Sequence, residues 1–544
     1  MYVSSFLIER LENAGVKHVF GLPGDYVLDF YKELWDNKNI EVINNTDENH
    51  SGFAADAYSR VHGIGCVAVT YNVGASKVIN AVQCAYAERS PLIIISGAPG
   101  MDERQEGMLL HHMVGSFNSQ KEMFENITCA SVVLDNPATA GYEIDKAMEA
   151  LHHYKRPIYI ELPRDIAKKS ISYDVYKQGT PTAPDTDPEN LQEALEEIMS
   201  WVETAKNPMI LAGVEVSRYD LGEKLVRFAE KTNIPVATTL LSKSVINERH
   251  PLFAGIYSGA SSDELTKSLV EESDCLLMFG VMLTDMTLCF KPDKFKKRQV
   301  VAASVSGLQV KSHSYTEVQF DDFCEALFKL NFGKKDLLVS LPEQEEKTKF
   351  VPVEGDDPLT TKRLFEYIDS ILDKDMAIVA DIGDSLFGAA DLTVHHRNHF
   401  LSPAFYTSMG SAIPGALGVQ TAKPDVRPIV IVGDGAFQMS CLELSTIVDR
   451  GLNPIVFVLN NDGYTTERFL LDGDFNNLRK WNYHDVTTLI NGGEARQCAT
   501  ESQLFESVQE ALASIELFVL NVEVARDDVS QGLTRMTEAL SKKI

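Results

Sequence analysis

Short, uninterrupted apolar runs that end in glycine, aspartate or asparagine recur along the whole chain. Examples are PLIIISGAP at 91–99, RPIVIVGDG at 427–435 and NPIVFVLNN at 453–461. Helical patterns separate these runs, so they predict parallel strands that helices cover on both faces. Ligands bind at the carboxyl ends of such strands, where the Gly, Asp and Asn residues lie. The chain is therefore predicted to be α/β.

Two stretches rich in proline and charge divide the 544 residues into three segments. They read QGTPTAPDTDPE at 178–189 and LPEQEEKTKFVPVEGDDP at 341–358. The segments contain five, four and four strand-like runs respectively. We therefore expect three doubly wound parallel-sheet domains, over residues 1–177, 190–340 and 358–544.

Charge and cysteine usage exclude several classes of protein. Against 50 Lys+Arg stand 78 Asp+Glu, a formal net charge of -28, which argues against nucleic acid and membrane surfaces as partners. No apolar run approaches the roughly 20 residues that span a bilayer. At the N-terminus, one helical face carries Val3, Phe6, Leu7, Leu11 and Ala14, which predicts a surface helix of the fold. The eight cysteines are scattered without a CxxC pair, which indicates a reduced, cytoplasmic protein.

The third segment carries the strongest chemical signal, Gly433-Asp434-Gly435 followed by Asn460-Asn461. The 24 residues between Gly435 and Asn460 suffice for one helix and one strand, so Asp434 and Asn461 should end adjacent parallel strands and meet. A carboxylate, an amide oxygen and a backbone carbonyl suit Mg²⁺ or Ca²⁺, and the helix start suits a phosphate. Taken alone, GDG could equally be a simple strand-to-helix turn. The spacing and the strand context together favour the ligand site.

GDG followed by NN resembles the signature of enzymes that use thiamine diphosphate. The resemblance implies that Mg²⁺ bridges the diphosphate to Asp434, Asn461 and the backbone of Gly463. Gly383-Asp384-Ser385 resembles the loop on the other side of the diphosphate, and Met409 matches the residue that bends thiamine, although core packing is an equal explanation for it. The cofactor-binding residues implied are Asp384, Ser385, Met409, Gly433, Asp434, Gly435, Ala436 and Asn461.

The same resemblance assigns a carboxylate to the first segment. The family places a glutamate beside the aminopyrimidine ring, where a strand becomes a helix. Glu48 stands at such a junction, between IEVINNTDE and a helix that contains AADAYSR. A lone glutamate there would ordinarily be a favourable charge at a helix start. The match of the surrounding helix makes Glu48 the expected cofactor-activating acid.

Three further motifs resemble the 2-oxo acid decarboxylases of this family. They are GLPGDY at 21–26, LHHMVG at 110–115 and GYTTER at 463–468. The implied catalytic residues are Asp25, Glu48, His111, His112 and Glu467, with Asp25 and the histidines relaying protons and Glu467 beside the substrate carboxylate. Paired histidines alone prove little, because His152-His153 and His395-His396 occur without such a match. The implied reaction is non-oxidative decarboxylation of a 2-oxo acid to an aldehyde and CO2.

The substrate positions implied by the resemblance are almost all apolar. They are Ile382, Leu386, Phe387, Thr466, Met286, Met536 and Leu540. We infer a neutral aliphatic or aromatic 2-oxo acid, although Arg468 and Lys480 near the mouth leave this open. Ile382 replaces a common glutamine, and FLLDGDFNNLRKW at 469–481 departs from the usual loop after the glutamate.

The family also implies how chains assemble. Asp25, Glu48 and the histidines would face Asp434 and Glu467 of a second subunit, so a homodimer is the minimum and a homotetramer is expected. In this family, loss of CO2 leaves an enamine on thiamine diphosphate, which a decarboxylase protonates. The main alternative function is a carboligase that adds this enamine to a second carbonyl compound. A Rossmann-type nucleotide binder lacks its GxGxxG fingerprint here, and a non-catalytic homologue should have lost Glu48 or Asp434.

Overall fold

The computed structural model describes residues 1–105, 107–171, 184–289, 299–336, 340–341, 350–353 and 357–541. These residues form two compact units. The first unit comprises Met1–Ala183, Ile413–Pro424 and Ser440–Leu452. The second unit comprises Pro184–Ala412, Asp425–Met439 and Asn453–Ile544.

The first unit is built on one six-stranded sheet in the order β2-β1-β3-β4-β6-β5, in which every pair is parallel. Its strands are β1 His18–Gly21, β2 Glu41–Asn44, β3 Gly65–Val69, β4 Leu92–Ala98, β5 Ala130–Val133 and β6 Ile158–Pro163. Its helices are Val3–Asn13, Leu28–Asp36, Glu48–His62, Val73–Ala87, Ser119–Glu125, Ala140–Tyr154, Ala412–Ala422 and Leu444–Asp449. The N-terminal helix buries the predicted apolar face, except that Ala14 lies beyond its last residue and is exposed.

The second unit contains two sheets. One has seven strands in the order β13-β12-β11-β10-β7-β8-β9, and an antiparallel hairpin of β12 and β13 extends its otherwise parallel strands. Its strands are β7 Pro208–Ala212, β8 Val236–Thr239, β9 Phe253–Tyr257, β10 Cys275–Phe279, β11 Val300–Ser304, β12 Gly307–Val310 and β13 His313–Tyr315.

The other sheet of the second unit has six parallel strands in the order β15-β14-β16-β17-β19-β18. Its strands are β14 Met376–Ala380, β15 Phe400–Leu401, β16 Arg427–Gly433, β17 Ile455–Asn460, β18 Glu494–Cys498 and β19 Phe518–Glu523. The helices of this unit are Pro188–Thr204, Val214–Arg218, Gly222–Thr232, Glu264–Glu271, Asp285–Leu288, Phe320–Lys329, Thr361–Ile371, Asp384–Ala390, Asp434–Ser440, Thr465–Leu470, Val486–Ile490, Glu501–Ala513 and Gln531–Ser541.

The predicted fold class is confirmed. The apolar runs of the sequence form central strands with both faces covered; in β16, for example, the side chains from Ile429 to Val432 are completely buried. Among the described helices, none combines the length and the apolar character that crossing a membrane requires.

Candidate active site

The GDG and NN turns meet at the carboxyl end of the third sheet. Strands β16 and β17 are parallel neighbours, with Gly433 opposite Leu459, so Asp434 and Asn461 follow adjacent strand ends. The Gly463 amide donates to Oδ2 of Asp434 at 3.1 Å, and the Gly435 amide donates to Oδ1 at 2.8 Å. The structure therefore brings together the three residues that the sequence proposed as metal ligands.

The chemistry of these three residues fits a hard divalent cation. Asp434 is 2% exposed, and burial raises its pKa from 3.8 to about 6. The buried side-chain oxygen of Asn461 has no hydrogen-bond partner among the described residues, and an orphaned buried acceptor is costly unless a ligand occupies it. The carbonyl of Gly463 accepts from the Thr465 amide, which leaves it a second lone pair. Oxygen donors of this kind are the ones that Mg²⁺ prefers.

A cavity of about 400 Å³ opens beside this cluster. Its lining includes every predicted cofactor residue of the third segment, namely Asp384, Ser385, Met409, Gly433, Asp434, Gly435, Ala436 and Asn461. It also includes Gly463, Glu467 and the predicted substrate positions Met286, Ile382, Leu386, Phe387, Thr466 and Met536. The side chain of Leu540 lies outside the described part of the chain. The individual roles of these residues stay predictions.

The loop at 381–385 forms part of the cavity wall through residues 382–385, and the GDG turn also lines the cavity. Its Ser385 hydroxyl is buried and has no hydrogen-bond partner in the described part of the chain, as expected of a group that binds an anionic ligand. The carboxylate of Asp384 instead accepts hydrogen bonds from the amide and hydroxyl of Ser530. Burial raises the pKa of Asp384 to about 6. Asp384 thus holds the loop in place, and Ser385 is the donor turned to the cavity.

Asp381 is a structural support of this wall that the sequence analysis missed. It is completely buried, and its carboxylate accepts from the amides of Ile382, Gly410 and Ala412 at 3.0 to 3.2 Å. Burial raises its pKa to about 6. Asp381 thereby ties the loop at 381–385 to the segment that contains Met409. Its place at the end of a strand-like run, AIVAD, was the available signal.

The remainder of the lining is mainly apolar and carries no cation among the described residues. Leu386 and Met536 are buried, and Met536 packs with Met286 and Phe387 in a small hydrophobic cluster. Leu470 and Leu533, which the sequence analysis did not single out, extend the apolar wall. Arg468 and Lys480 are not part of the lining: Arg468 donates to backbone carbonyls, and Lys480 pairs with Asp462 at 2.9 Å.

Glu48 lies in the first unit, at the first residue of helix Glu48–His62. The preceding Asp47 caps the helix by accepting from the Asn49 amide at 2.8 Å. The Glu48 side chain is 14% exposed, and its Oε2 pairs with the ammonium of Lys77 at 2.9 Å. No sequence pattern indicates this lysine partner, which contacts Asp47 as well.

A buried glutamate fixes the turn that precedes Glu48. Glu443 is completely buried and accepts from Asn45 Nδ2 at 2.8 Å, from the amide and hydroxyl of Thr46 at 3.1 and 2.6 Å, and from His50 Nδ1 at 3.2 Å. Burial alone would favour its protonated form, but these hydrogen bonds hold the pKa of Glu443 below its ordinary value. Nothing in the sequence distinguishes Glu443 from the other glutamates of its segment.

The predicted relay residues also come together in the first unit. His111 Nε2 lies 2.7 Å from Oδ2 of Asp25, and His112 Nε2 lies 3.9 Å from Oδ1. Tyr26 stacks on His111 with ring centroids 4.7 Å apart, and Asn72 donates to the carbonyl of His112 at 2.7 Å. The contact of His111 with Asp25 is a hydrogen bond, and a histidine held by a carboxylate is suited to general acid–base chemistry.

The Asp25 loop is held close to the sheet by a glycine. A Cβ on Gly24 would lie 2.4 Å from Cβ of Thr70, so only glycine allows this approach. Asp25 and its histidines therefore have a defined position at the carboxyl end of the first sheet. They belong to a different compact unit from Asp434 and Glu467.

Comparison with known families agrees with the chemistry of the residues around Asp434 and of those around Glu48. Models of the N-terminal, central and C-terminal domains of thiamine pyrophosphate enzymes match residues 1–123, 195–321 and 381–522. The chain belongs to the thiamine pyrophosphate enzyme family. The first and third matches carry the description of cofactor-binding domains, and they contain Glu48 and Asp434 respectively.

Individual decarboxylases resemble the chain over nearly its full length. An indole-3-pyruvate decarboxylase of Azospirillum brasilense is 30% identical, over 99% of this chain and 98% of its own. A probable pyruvate decarboxylase of Schizosaccharomyces pombe is 30% identical over 98% and 94%. An alpha-keto-acid decarboxylase of Mycobacterium bovis is 31% identical over 94% and 91%. The family resemblance drawn from the sequence motifs is thus confirmed.

Proposed function

We propose that the chain is a thiamine-diphosphate-dependent decarboxylase that converts a 2-oxo acid to an aldehyde and CO2. The observation that carries the proposal is the meeting of Asp434, Asn461 and Gly463 beside an apolar cavity, in a chain whose full-length relatives bear the names of 2-oxo acid decarboxylases.

The orphaned polar atoms support Mg²⁺ and a diphosphate as occupants of the cavity. Asp434, Asn461 and the carbonyl of Gly463 would hold the metal, and the hydroxyl of Ser385 would bind the diphosphate. Thiamine diphosphate supplies the electron sink that stabilises the negative charge left when CO2 departs. Binding, water exclusion and proton movement then fall to the side chains of this chain.

The first unit would supply the proton-transferring groups. Glu48 would hydrogen-bond the cofactor's pyrimidine ring and control its protonation. Asp25 with His111 and His112 would deliver the proton that the product needs, because Asp25 is hydrogen-bonded to His111 and His112 lies 3.9 Å from the same carboxylate. Glu467, exposed at the cavity rim, would lie beside the substrate carboxylate.

The cavity favours an aliphatic or aromatic substrate with one carboxylate. Its charged lining residues are acidic (Asp384, Asp434 and Glu467), so a second carboxylate or a phosphonate would find no counter-charge among the described residues. Cytoplasmic location and a homotetramer stay predictions.

The proposal is tested by incubating the protein with thiamine diphosphate, Mg²⁺ and a panel of 2-oxo acids that includes pyruvate, branched-chain acids, phenylpyruvate and indolepyruvate. CO2 and the organic product are followed together. We expect CO2 with an equal amount of aldehyde. CO2 with a hydroxyketone would assign the chain to the carboligases, and no CO2 from any acid would overturn the proposal.

Truncating a side chain of the apolar wall should enlarge the cavity and change the substrate preference. Phe387→Ala removes an aromatic ring from the cavity lining, so kcat/KM for indolepyruvate relative to pyruvate should rise by about tenfold or more. Competition assays with both acids measure this ratio. Phe469→Ala, which removes a half-exposed ring outside the lining, is the matched control and should leave the ratio unchanged. Equal ratios in both variants would exclude Phe387 from substrate recognition.

Shared active sites would make two inactive variants complement each other. Glu48→Gln and Asp434→Asn should each be inactive as homodimers. If each site takes Glu48 from one subunit and Asp434 from the other, a dimer that contains one chain of each variant has one intact site and should recover about half of the wild-type activity. Such dimers can be isolated through two different affinity tags. No recovery would mean that each site is built within one chain.

A further inference from the structure

The guanidinium of Arg468 is engaged with the loop that carries the proposed metal ligands. Its Nη1 donates to the carbonyl of Asn461 at 3.3 Å, and its Nη2 donates to the carbonyl of Asp462 at 2.7 Å. Nη2 also donates to the side-chain oxygen of Asn477 at 3.1 Å. One side chain therefore joins the metal loop at 461–463 to the segment that follows Glu467.

Arg468 and Asn476 pack directly against the backbone of Gly463 in the metal loop. Gly463 has a φ of 146°, and a Cβ there would lie 2.1 Å from the carbonyl oxygen of Asn476 and 2.5 Å from Nη2 of Arg468. The amide of Tyr464 donates to the carbonyl of Asn476 at 2.9 Å, and Gly463 pairs with Asn477 in an isolated bridge. The loop and residues 476–477 thus form one hydrogen-bonded structure that includes Arg468.

The segment at 469–481, called here the covering segment, has little apolar anchorage of its own. Five of its six large apolar side chains are 44% to 70% exposed, namely Phe469, Leu470, Leu471, Phe475 and Trp481. The sixth, Leu478, is partly buried. A segment with few buried apolar contacts opens at low free-energy cost. Its order therefore depends mainly on polar contacts. Arg468 with Asn477 and Lys480 with Asp462 connect it to the metal loop, and Gln438 Nε2 donates to the carbonyl of Arg479.

We propose that Arg468 is a positioning residue that couples metal occupancy of the loop at 461–463 to the order of the covering segment. This inference rests on the proposed function, because it assumes that the loop binds Mg²⁺. By hydrogen-bonding the carbonyls of Asn461 and Asp462, Arg468 holds the loop in the conformation that presents Asn461 Oδ1 and the Gly463 carbonyl. A bound cation stabilises the same conformation and, through Arg468, the covering segment.

Recognition of the substrate carboxylate is the rival role for an arginine at this position. The geometry disfavours it, since Arg468 does not line the cavity and its donors already bind three acceptors. The two roles differ in what they change. A positioning residue alters the apparent Mg²⁺ affinity in the absence of substrate, whereas a substrate ligand alters KM.

The test compares Arg468→Met, Arg468→Lys and wild type in the presence of thiamine diphosphate. Trp481 lies in the covering segment, so its fluorescence in a Trp35→Phe, Trp201→Phe background reports Mg²⁺ binding there. Trypsin cleavage at exposed Arg479 and Lys480, followed by mass spectrometry, reports the order of the segment independently. Arg526→Met is the matched control, because Arg526 lies near Asp462 at 4.0 Å but makes no described hydrogen bond to the loop carbonyls.

We expect Arg468→Met to weaken the apparent Mg²⁺ affinity by about tenfold or more and to leave residues 479–480 cleavable at saturating Mg²⁺. Arg468→Lys should recover part of the affinity, and Arg526→Met should match wild type. Wild-type Mg²⁺ affinity and wild-type protection in Arg468→Met would overturn the coupling, and a raised KM alone would assign Arg468 to the substrate. A wild-type protein that shows no Mg²⁺ response would instead refute the proposed metal site, and the inference with it.

Discussion

Replacing Glu48 by glutamine should lower kcat for 2-oxo acid decarboxylation by about two to four orders of magnitude. Glutamine keeps the size of the side chain and one hydrogen-bonding oxygen, but it cannot exchange a proton with the pyrimidine ring at neutral pH. The side chain lies at a helix start and is 14% exposed, so the substitution requires no repacking of a core. Lys77 keeps Asp47 as its partner in the variant. The loss should therefore be chemical rather than structural.

Two measurements separate the chemical loss from a folding defect. Initial rates of CO2 release at saturating thiamine diphosphate and Mg²⁺ give kcat, and the rise in Tm on adding both ligands shows that the variant still binds them. Glu41→Gln is the control and should retain wild-type kcat. Glu41 is a half-exposed glutamate on strand β2 that pairs with Arg450. A Glu48→Gln enzyme within about tenfold of wild type would remove Glu48 from the mechanism, since general acid–base groups contribute more than that.

The central strands of the fold could be predicted from the sequence, and most edge strands could not. All thirteen strand-like runs correspond to observed strands. The missed strands are β5, β9, β12, β13, β15 and β18, and all except β12 lie at a sheet edge. An edge strand is covered less completely, so it lacks a continuous apolar run. Strand β18, Glu494–Cys498, has charged residues at Glu494 and Arg496 that pair with each other across its surface.

The meeting of Asp434 and Asn461 was predictable because it depends only on strand adjacency and chain length. The supports of the site were not, because they depend on side-chain direction. Glu443 reaches residues almost four hundred positions away, at Asn45, Thr46 and His50, and no local pattern encodes that contact. Arg468 illustrates the same limit: its charge suggested the cavity mouth, and its guanidinium binds loop carbonyls instead.

Replacing Asp434 by asparagine should have opposite effects on cofactor binding and on the stability of the ligand-free protein. Asparagine keeps the shape but removes the negative charge from the metal site, so the Mg²⁺-dependent affinity for thiamine diphosphate should fall by about a hundredfold or more. The substitution also removes a buried carboxylate whose local partners are two backbone amides, Gly435 and Gly463. At neutral pH the ligand-free variant should therefore be the more stable protein.

The direction of the stability change follows from the pKa of Asp434, which burial raises from 3.8 to about 6. The folded chain holds this proton more tightly than the unfolded chain, so proton binding by Asp434 adds to the free energy of unfolding. This contribution is complete below pH 3.8 and is lost as pH rises through about 6. Above that range, the ionised side chain destabilises the ligand-free fold by up to about 3 kcal/mol. Asp434→Asn removes this cost, and the loss of one of the two amide hydrogen bonds, about 1 kcal/mol, offsets only part of the gain. Below pH 3.8, this carboxyl is neutral in both states and contributes no difference between the proteins.

Thermal unfolding of both proteins between pH 5 and pH 8, with and without Mg²⁺ and thiamine diphosphate, measures both effects. Without ligands, the Tm of Asp434→Asn should exceed that of wild type at pH 8, and the difference should shrink toward pH 5. With ligands, wild type should gain Tm and the variant should not. Asp425→Asn, at an exposed position, controls for net charge. A variant that is destabilised without ligands at pH 8, or that is stabilised by Mg²⁺ as strongly as wild type, would contradict this prediction. Asp434 would then contribute to the stability of the fold and not to cation binding.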